Sequence, residues 1–388
     1  MAGGSTRSAF DAAAVLDRVR GIAERFAADR HDRQRREGLA REEFDELADA
    51  GFLLTGVPRS SGGLFESVAA STRTIGEILG ALAAGDASVA LVASMHPAVL
   101  SFWHANPGAP AQHAGAWREQ IDHVSRMAAD GCWFGTITSE PGSGGDVART
   151  AAAAEPAPDG GWRLSGRKHF GSGSGITSFM LTMARPDGEP NPDWFLLDVR
   201  DVPWDGSRGM TIVAPWDGHG MPATQSHGMA FASFPAMRMA WPGDWRGKAD
   251  AAGPFVASVF TAVILGVVEA AIATAREGLA GRVGSLRPYE QVEWVNAQQD
   301  AWLMRQAYEG MLRAVETGKD ARRETLLGKT AAARLAEDCM RRLTRIMGGG
   351  TFARHSPFGF WFEDVRALGL LRPPWGLAYD ALIAAADA

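Results

Sequence analysis

The sequence predicts an α+β protein of several domains: a helical N-terminal domain, a middle antiparallel β-domain and a C-terminal helical bundle. Three observations carry this. The chain has 388 residues, more than the roughly 250–300 at which a single core stops growing. Apolar residues recur three and four apart towards both ends, the period of amphipathic helices, whereas the middle breaks into short aromatic and β-branched runs. Seven of the 13 tryptophans lie in that middle stretch, where large aromatic side chains fit a pleated, half-buried surface.

The predicted domains are 1–129, 130–248 and 249–388. In the first, "AAAVLDRVRGIAERFAA" and "REEFDELADAGFLL" place their apolar residues on one helix face, and Gly51 stands where a left-handed cap would end the second helix. "PRSSGG" interrupts the pattern, and "FESVAASTRTIGEILGALAAGDASVALVASMHPAVLSFWHA" resumes it. In the middle domain the strands are expected at "CWFGTIT", "WRLSGRKHF", "SFMLTMA", "DWFLLDV" and "GMAFASF", separated by Gly, Pro, Asp and Asn. The helical period returns from Gly253 through "FVASVFTAVILGVVEAAIATAREGLA", "EQVEWVNAQQDAWLMRQAYEGMLRAVETG" and "RETLLGKTAAARLAEDCMRRLTRIMGG". Ala251 to Val268 carries no charge and approaches the ~20 residues that cross a bilayer. It contains Gly253-Pro254, Ser258 and Thr261 and runs into Glu269, so a buried bundle helix is expected and no membrane partner.

Composition narrows the function classes. A formal net charge of −6 and a pI near 5.9 give no long-range attraction for a polyanion, so nucleic acid is not the expected partner. Two cysteines, Cys132 and Cys339, without C-x-x-C spacing fit a reducing compartment. No basic start followed by an apolar run and a cleavage site is read, and a cytoplasmic location is expected. The nine histidines show no H-E-x-x-H or Cys/His ligand spacing, so no metal site is expected. A Walker A loop is absent, and "GSGGDV" does not follow the G-x-G-x-x-G pattern of a dinucleotide fold. Two glycine-hydroxyl pieces, "EPGSGGD" and "HFGSGSG", lie beside predicted strands. Such a piece either makes a tight turn or lets backbone N–H groups approach an anion or a flat ring, since no Cβ intervenes and positive φ is allowed.

Taken together, the motifs fall in an order that resembles one family. "REEFDELADAGFLLTGVPRSSGG", "ITSEPGSGGDVART", "GWRLSGRKHFGSGSGITSFMLTMA", "GHGMPATQSHGMAFASFP" and "RIMGGGTFARHSPFGFWFEDVRA" resemble the acyl-CoA dehydrogenase superfamily over nearly the whole chain. The resemblance implies a flavin between the β-domain and the C-terminal bundle. FAD is the first expectation, with FMN or a reduced flavin supplied by a reductase as alternatives. Carried over by position, Thr136, Thr138 and Ser139 would lie along the ring and ribityl chain, and Gly144 and Gly145 at the phosphates, Gly145 standing where the family often has Ser. Phe170 would stand against the ring, with Gly171 and Ser172 completing that strand. Arg282 and Gln291 resemble contacts that the family takes from a neighbouring subunit, and Gly348 and Gly349 a further phosphate approach beside Arg345. A dimer or tetramer, with homotetramer as the family's form, is therefore expected.

The resemblance leaves the reaction open, because the family's catalytic glutamate is missing. Counting from Asp364 puts Arg372 or Pro373 at one of its two usual positions, and Val256 stands at the other. Neither arginine nor proline can accept a proton. The C-terminal "GGGTFARHSPFGFWFEDVRALGLLRPP" resembles the branch whose members react reduced flavin with O2, which implies a monooxygenase acting on a small organic substrate with a flavin reductase as partner. In that branch His96 stands at an active-site histidine and Ser172 at a hydroxyl, so both are the expected catalytic residues, although Leu368 and Leu371 replace a C-terminal histidine pair. Two alternatives remain. One is an acyl-CoA dehydrogenase with a relocated base, for which Glu269, Glu363 and His96 are candidates and an electron-transfer protein the partner. The other is a non-catalytic subunit of a heteromeric dehydrogenase.

Overall fold

The computed structural model describes residues 10–106 and 108–386. Helices α1 (Ala12–Ala28), α2 (Arg30–Arg33), α3 (Arg41–Asp49), α4 (Val68–Gly85), α5 (Ala87–His104) and α6 (Ala114–Ala129) come first. Asp11, Ser67 and Asp86 cap α1, α4 and α5 by accepting a backbone N–H with their side chains, which satisfies one of the donors every helix start leaves free. Gly51 follows α3 at φ 90°, as its position in the sequence predicts.

Strands β1 (Phe134–Thr136), β2 (Ala153–Pro156), β3 (Trp162–Gly171), β4 (Phe179–Pro186), β5 (Asp193–Asp198), β6 (Met210–Ala214) and β7 (His227–Arg238) form one sheet of seven. β4 pairs with β5, β5 with β7, β7 with β3 and β3 with β2, all antiparallel; β2 then returns to β4, so five strands close on themselves. The expected all-antiparallel arrangement needs one correction. β1 and β2 both join β4 in parallel, Phe134 opposite Phe179 and Ala153 opposite Arg185. Each parallel pairing spans three residues or fewer, and neither leaves a run that a two-residue periodicity could reveal.

The C-terminal helices are α7 (Trp245–Gly278), α8 (Pro288–Thr317), α9 (Ala321–Met347), α10 (Pro357–Val365), α11 (Ala367–Leu370) and α12 (Trp375–Ala386). α7 starts at Trp245 rather than at the expected boundary, 249, because Asp244 caps it. It is the one described helix long and apolar enough to cross a membrane, yet 83% of its most apolar window is buried inside the fold. Val19, Ile22 and Leu79 from the first helices share one continuous core with Phe255, Val263, Met311 and Met340 from the last. The two helical regions, separate in sequence, are thus one packed body. A second cluster, with Trp103, Trp117, Phe134, Phe179 and Trp194, fastens α5 and α6 to the sheet, and a third fills its interior with Leu164, Met180, Phe195 and Phe231.

Candidate functional site

Two segments far apart in sequence meet at one edge of the sheet. β1 is held on β4, and the chain leaving it passes through Ile137, whose N–H donates to Leu181 O at 2.9 Å. Beyond it, His169 N–H donates to Ser139 O at 2.8 Å. This single bridge seats "EPGSGGD" against "HFGSGSG". The approach is close: a Cβ on Gly171 would come within 2.8 Å of Ile137 Cδ1. Thr138 and Ser172 are buried and Thr136 and Ser139 half-buried around this junction. Thr136, Thr138, Ser139, Phe170, Gly171 and Ser172, named above from the sequence, are therefore neighbours.

The loop itself is tied down by an ion pair. Glu140 accepts from Lys168 Nζ and Thr150 Oγ1, and from Ala151 N–H at 2.7 Å. Burial alone would raise the Glu140 pKa, but the hydrogen bonds from Lys168 and Thr150 outweigh it and hold the carboxyl below its usual range. Lys168 is fully buried, and burial pulls its pKa down to about 8 against the pull of Glu140. Between these anchors Gly142, Gly144 and Gly145 take φ of 76°, 63° and 84°, values only glycine adopts without strain. A Cβ on Gly142 or Gly144 would meet nothing within 4 Å. The turn therefore faces open space, while Ser143 closes it from behind with bonds to Glu140 O and Gly145 N–H.

Phe170 is the outlier of the site. It is a non-glycine residue at φ 60° and its ring is 57% exposed, touching His169 and Trp216 only edge-on. A bulky residue at positive φ costs roughly 1–3 kcal/mol, and an exposed ring returns none of it by burial. The conformation turns a flat apolar face outwards beside the glycine loop.

His96 needs a correction. It is wholly buried on α5; its Nε2–H donates to Leu53 O at 2.8 Å and its Nδ1 accepts from Phe134 N–H at 3.3 Å. Burial pulls its pKa down to about 4. With both nitrogens spent on backbone, His96 has no free position for a substrate; it braces α5 against β1 and the turn at Phe52–Gly56. Ser172 is buried as well. Its Oγ lies 2.7 Å from Ser226 Oγ, which lies 2.8 Å from Thr224 Oγ1. The loop that carries Thr224 and Ser226 is held from below by Asp364, whose Oδ1 accepts from Met221 N–H at 2.6 Å.

The remaining expected residues lie elsewhere. Gln291 donates to Leu286 O, Arg282 makes only local backbone bonds, and Gly348 and Gly349 sit in the turn after α9. Among the described residues no hydrogen bond joins them to the 139–145 loop. Of the candidate bases, Glu269 is paired with Arg305 and Glu363 with Arg366; Val256 packs against the helical core. No described group of three or more His, Cys, Asp and Glu could hold a metal.

Two cations that the motifs did not single out as ligands complete the site. Arg372 reaches back from the turn between α11 and α12 and donates to Gly145 O and, at 3.0 Å, to Ser139 Oγ. Pro374 lies against Gly145, where a Cβ would come within 2.8 Å of the proline ring. Lys329, fully buried on α9, donates to Leu371 O and Pro373 O at 2.7 Å each. Counting to the missing glutamate located Arg372 in the sequence; only the fold shows what it touches. Lys329 left no signal, being one of three polar residues in "LLGKTAAARLA".

Comparison with known proteins agrees with this architecture. Family profiles match residues 11–115 to the acyl-CoA dehydrogenase N-terminal domain and 135–234 to the acyl-CoA dehydrogenase middle domain. Dibenzothiophene monooxygenase of Mycolicibacterium goodii is 28% identical over 294 residues, 71% of this chain and 64% of the relative; the match thus spans just under two thirds of that relative's length. L-evernosamine nitrososynthase of a Micromonospora strain is 25% identical, covering 92% of this chain and 86% of the relative. Among solved structures, KijD3 in complex with FMN and a dTDP-amino-ketosugar superposes with a TM-score of 0.81 at 22% identity, over 99% of this chain and 95% of that one.

Proposed function

The chain belongs to the acyl-CoA dehydrogenase family, and from that premise we propose that it is a flavin-dependent monooxygenase that oxygenates a small organic substrate at sulfur or nitrogen. The observation that carries the proposal is Arg372. Counting along the sequence puts Arg372 or Pro373 at one of the two positions where a dehydrogenase of this family keeps its carboxylate, and the Arg372 guanidinium is bonded to the glycine loop. Guanidinium cannot act as a base. The other carboxylates near the loop are committed, Glu140 to Lys168 and Asp146 to the Ala148 N–H.

The residues present fit a flavin. The open turn offers the N–H groups of Gly142 and Gly144 without side chains in the way, the exposed Phe170 ring offers a flat apolar face, and the His169–Ser139 bridge joins the two segments. When bound in reduced form, the cofactor supplies the two electrons with which one atom of O2 enters the substrate and the other leaves as water. The chain's own part is to hold and enclose. Phe170 and Trp216 wall the ring face, the Ser172–Ser226–Thr224 hydroxyls give a buried polar edge, and Arg372 brings positive charge. FMN is the form we assign, because FMN occupies the KijD3 complex, and the nitrososynthase and dibenzothiophene relatives point to N or S oxidation. A flavin reductase would supply the reduced cofactor. A homo-oligomer would bring Arg282, Gln291, Gly348 and Gly349 of one copy to the loop of another, in the cytoplasm.

The test has two arms. Reduced FMN, 18O2 and a panel of thiophenes, sulfinates and amino sugars should give a product carrying one labelled oxygen. Oxidised holoprotein mixed anaerobically with acyl-CoAs of increasing length should keep its flavin absorbance; bleaching by any of them would establish the dehydrogenase reading instead.

A further inference from the structure

One cation bonded to the glycine loop has no carboxylate of its own within ion-pair distance. Lys168 and Arg372 bond the loop itself, and Lys329, fully buried like Lys168, stands behind Arg372 with its pKa lowered by burial to about 7. Lys168 has Glu140. Among the described residues, Arg372 and Lys329 have no carboxylate within 4 Å; both are bonded to carbonyls and one hydroxyl. A buried, unpaired cation is expensive, and the usual relief is a partner or a lost proton. Burial lowers Arg372 only to about 10, with Asp146 and Glu140 opposing the fall, so it stays charged at neutral pH.

The geometry points to Arg372 as a ligand for the cofactor's phosphate, acting with the Gly142–Gly145 turn, and to Lys329 as the residue that positions it. The inference rests on the flavin reading above and adds to it the residue that selects a phosphorylated flavin. Arg372 carries five N–H donors in a planar fork. Two bonds are used to grip the loop at Ser139 and Gly145, one at each end of the open turn, which leaves donors for an anion seated on it. Phosphate is the anion this fork suits, and left-handed glycine turns collect phosphate oxygens on their N–H groups. Lys329 bonds the carbonyls on both sides of Arg372, those of Leu371 and Pro373, so the backbone that aims the guanidinium is clamped from within α9. Pro374, seated on Gly145, closes the fit.

FMN and riboflavin differ only in the phosphate, so their affinities separate its contribution from that of the ring. Flavin-free protein is titrated with each, following quenching of flavin fluorescence, for wild type, Arg372→Ala, Arg372→Lys and Lys329→Met. Wild type should prefer FMN. Arg372→Ala should weaken FMN about ten- to hundredfold, the worth of one or two charge-assisted hydrogen bonds, and change riboflavin less than about threefold. Arg372→Lys should recover part of the loss, since it restores charge without the fork. Lys329→Met should lower the FMN-to-riboflavin ratio in the same sense with α-helical circular dichroism retained. Equal weakening of both flavins by Arg372→Ala would make Arg372 a brace for the loop and overturn the assignment, as would an unchanged FMN affinity. Wild type that binds neither flavin would instead remove the flavin reading itself.

Discussion

Replacing Asp364 by Asn should make the protein more stable at pH 8 and leave it nearly unchanged at pH 4. Asp364 is almost wholly buried on α10, and burial, reinforced by Asp86 and Glu363 nearby, raises its carboxyl from 3.8 to about 7, although Met221 N–H opposes the rise. Arg30 and Arg33 line the same small cavity but do not pair with it: Arg33 spends its charge on Asp86 and Glu43, and Arg30 donates to Ala84 O. Because the folded state holds this proton more tightly than the unfolded chain, the carboxyl's contribution to stability is full below about pH 4 and is lost as pH rises towards 7. The loss runs at about 1.4 kcal/mol per pH unit and reaches about 4 kcal/mol. Asparagine keeps an oxygen for Met221 N–H and never ionises. Urea unfolding of both proteins from pH 4 to 8.5 should therefore show a gap that widens with pH and levels off near 7, at about 2–4 kcal/mol in favour of the variant. Other groups titrate in both proteins and cancel in the difference. Parallel curves, or an Asn variant that is the less stable at pH 8, would show that Asp364 is ionised in the fold and refute the reasoning.

Three other outcomes follow from particular contacts. Phe170→Ala should weaken FMN about tenfold, as loss of an aromatic contact of roughly 1–1.5 kcal/mol would, with little change in melting temperature because the ring is 57% exposed; unchanged affinity in a quenching titration would remove the ring from the cofactor. His96→Asn should flatten the acid limb of the stability curve. The wild-type ring, lowered from 6.5 to about 4 by burial, loses stability as pH falls between those values, so urea midpoints at pH 4.5 and 7 that differ equally in the two proteins would contradict the buried, neutral His96. On α8, Tyr289, Val292, Val295, Trp302 and Leu303 expose one apolar stripe, and Trp302→Glu should break a homo-oligomer into smaller species by light scattering; an unchanged mass would place the interface elsewhere.

The order of helices, strands and helices was legible because periodicity is a local property and these segments are long. The expected run at "WRLSGRKHF" became β3, and "SFMLTMA" became β4. β2 escaped notice because "AAEP" has neither branched nor aromatic residues, whereas β6 was passed over although "MTIVA" carries three β-branched residues. The shared core of the first and last helices was invisible for a different reason. Phe65 and Phe255, whose ring centroids lie 5.6 Å apart, are separated in sequence by the whole middle domain. The site divides along the same line. The glycine pieces were readable, since a residue without Cβ says what its backbone does wherever it stands. The bridge from His169 to Ser139, and the positive φ that turns Phe170 outwards, depend on register. His96 shows the converse failure: a lone histidine in an apolar helix reads alike whether its partners are a substrate or the backbone of Leu53 and Phe134.

Arg372 and Lys329 show why a missing residue can inform more than a matching one. Methionine would fill the space of a buried lysine without its desolvation cost, and replacing buried charge by apolar groups is often stabilising. A fold governed by stability alone has no use for an ammonium whose pKa burial drives down to about 7, held only to offer hydrogen bonds to Leu371 and Pro373. The expense is explained if what it fixes is the aim of Arg372. Counting puts Arg372 or its neighbour Pro373 where the family keeps its base, and the guanidinium grips the same loop that the glycines open. The 372–373 pair thus offers no base for desaturation, while Arg372 offers a cation that an anionic cofactor can use. The two consequences are separable, since the first is read in the chemistry performed on substrate and the second in the preference for FMN over riboflavin.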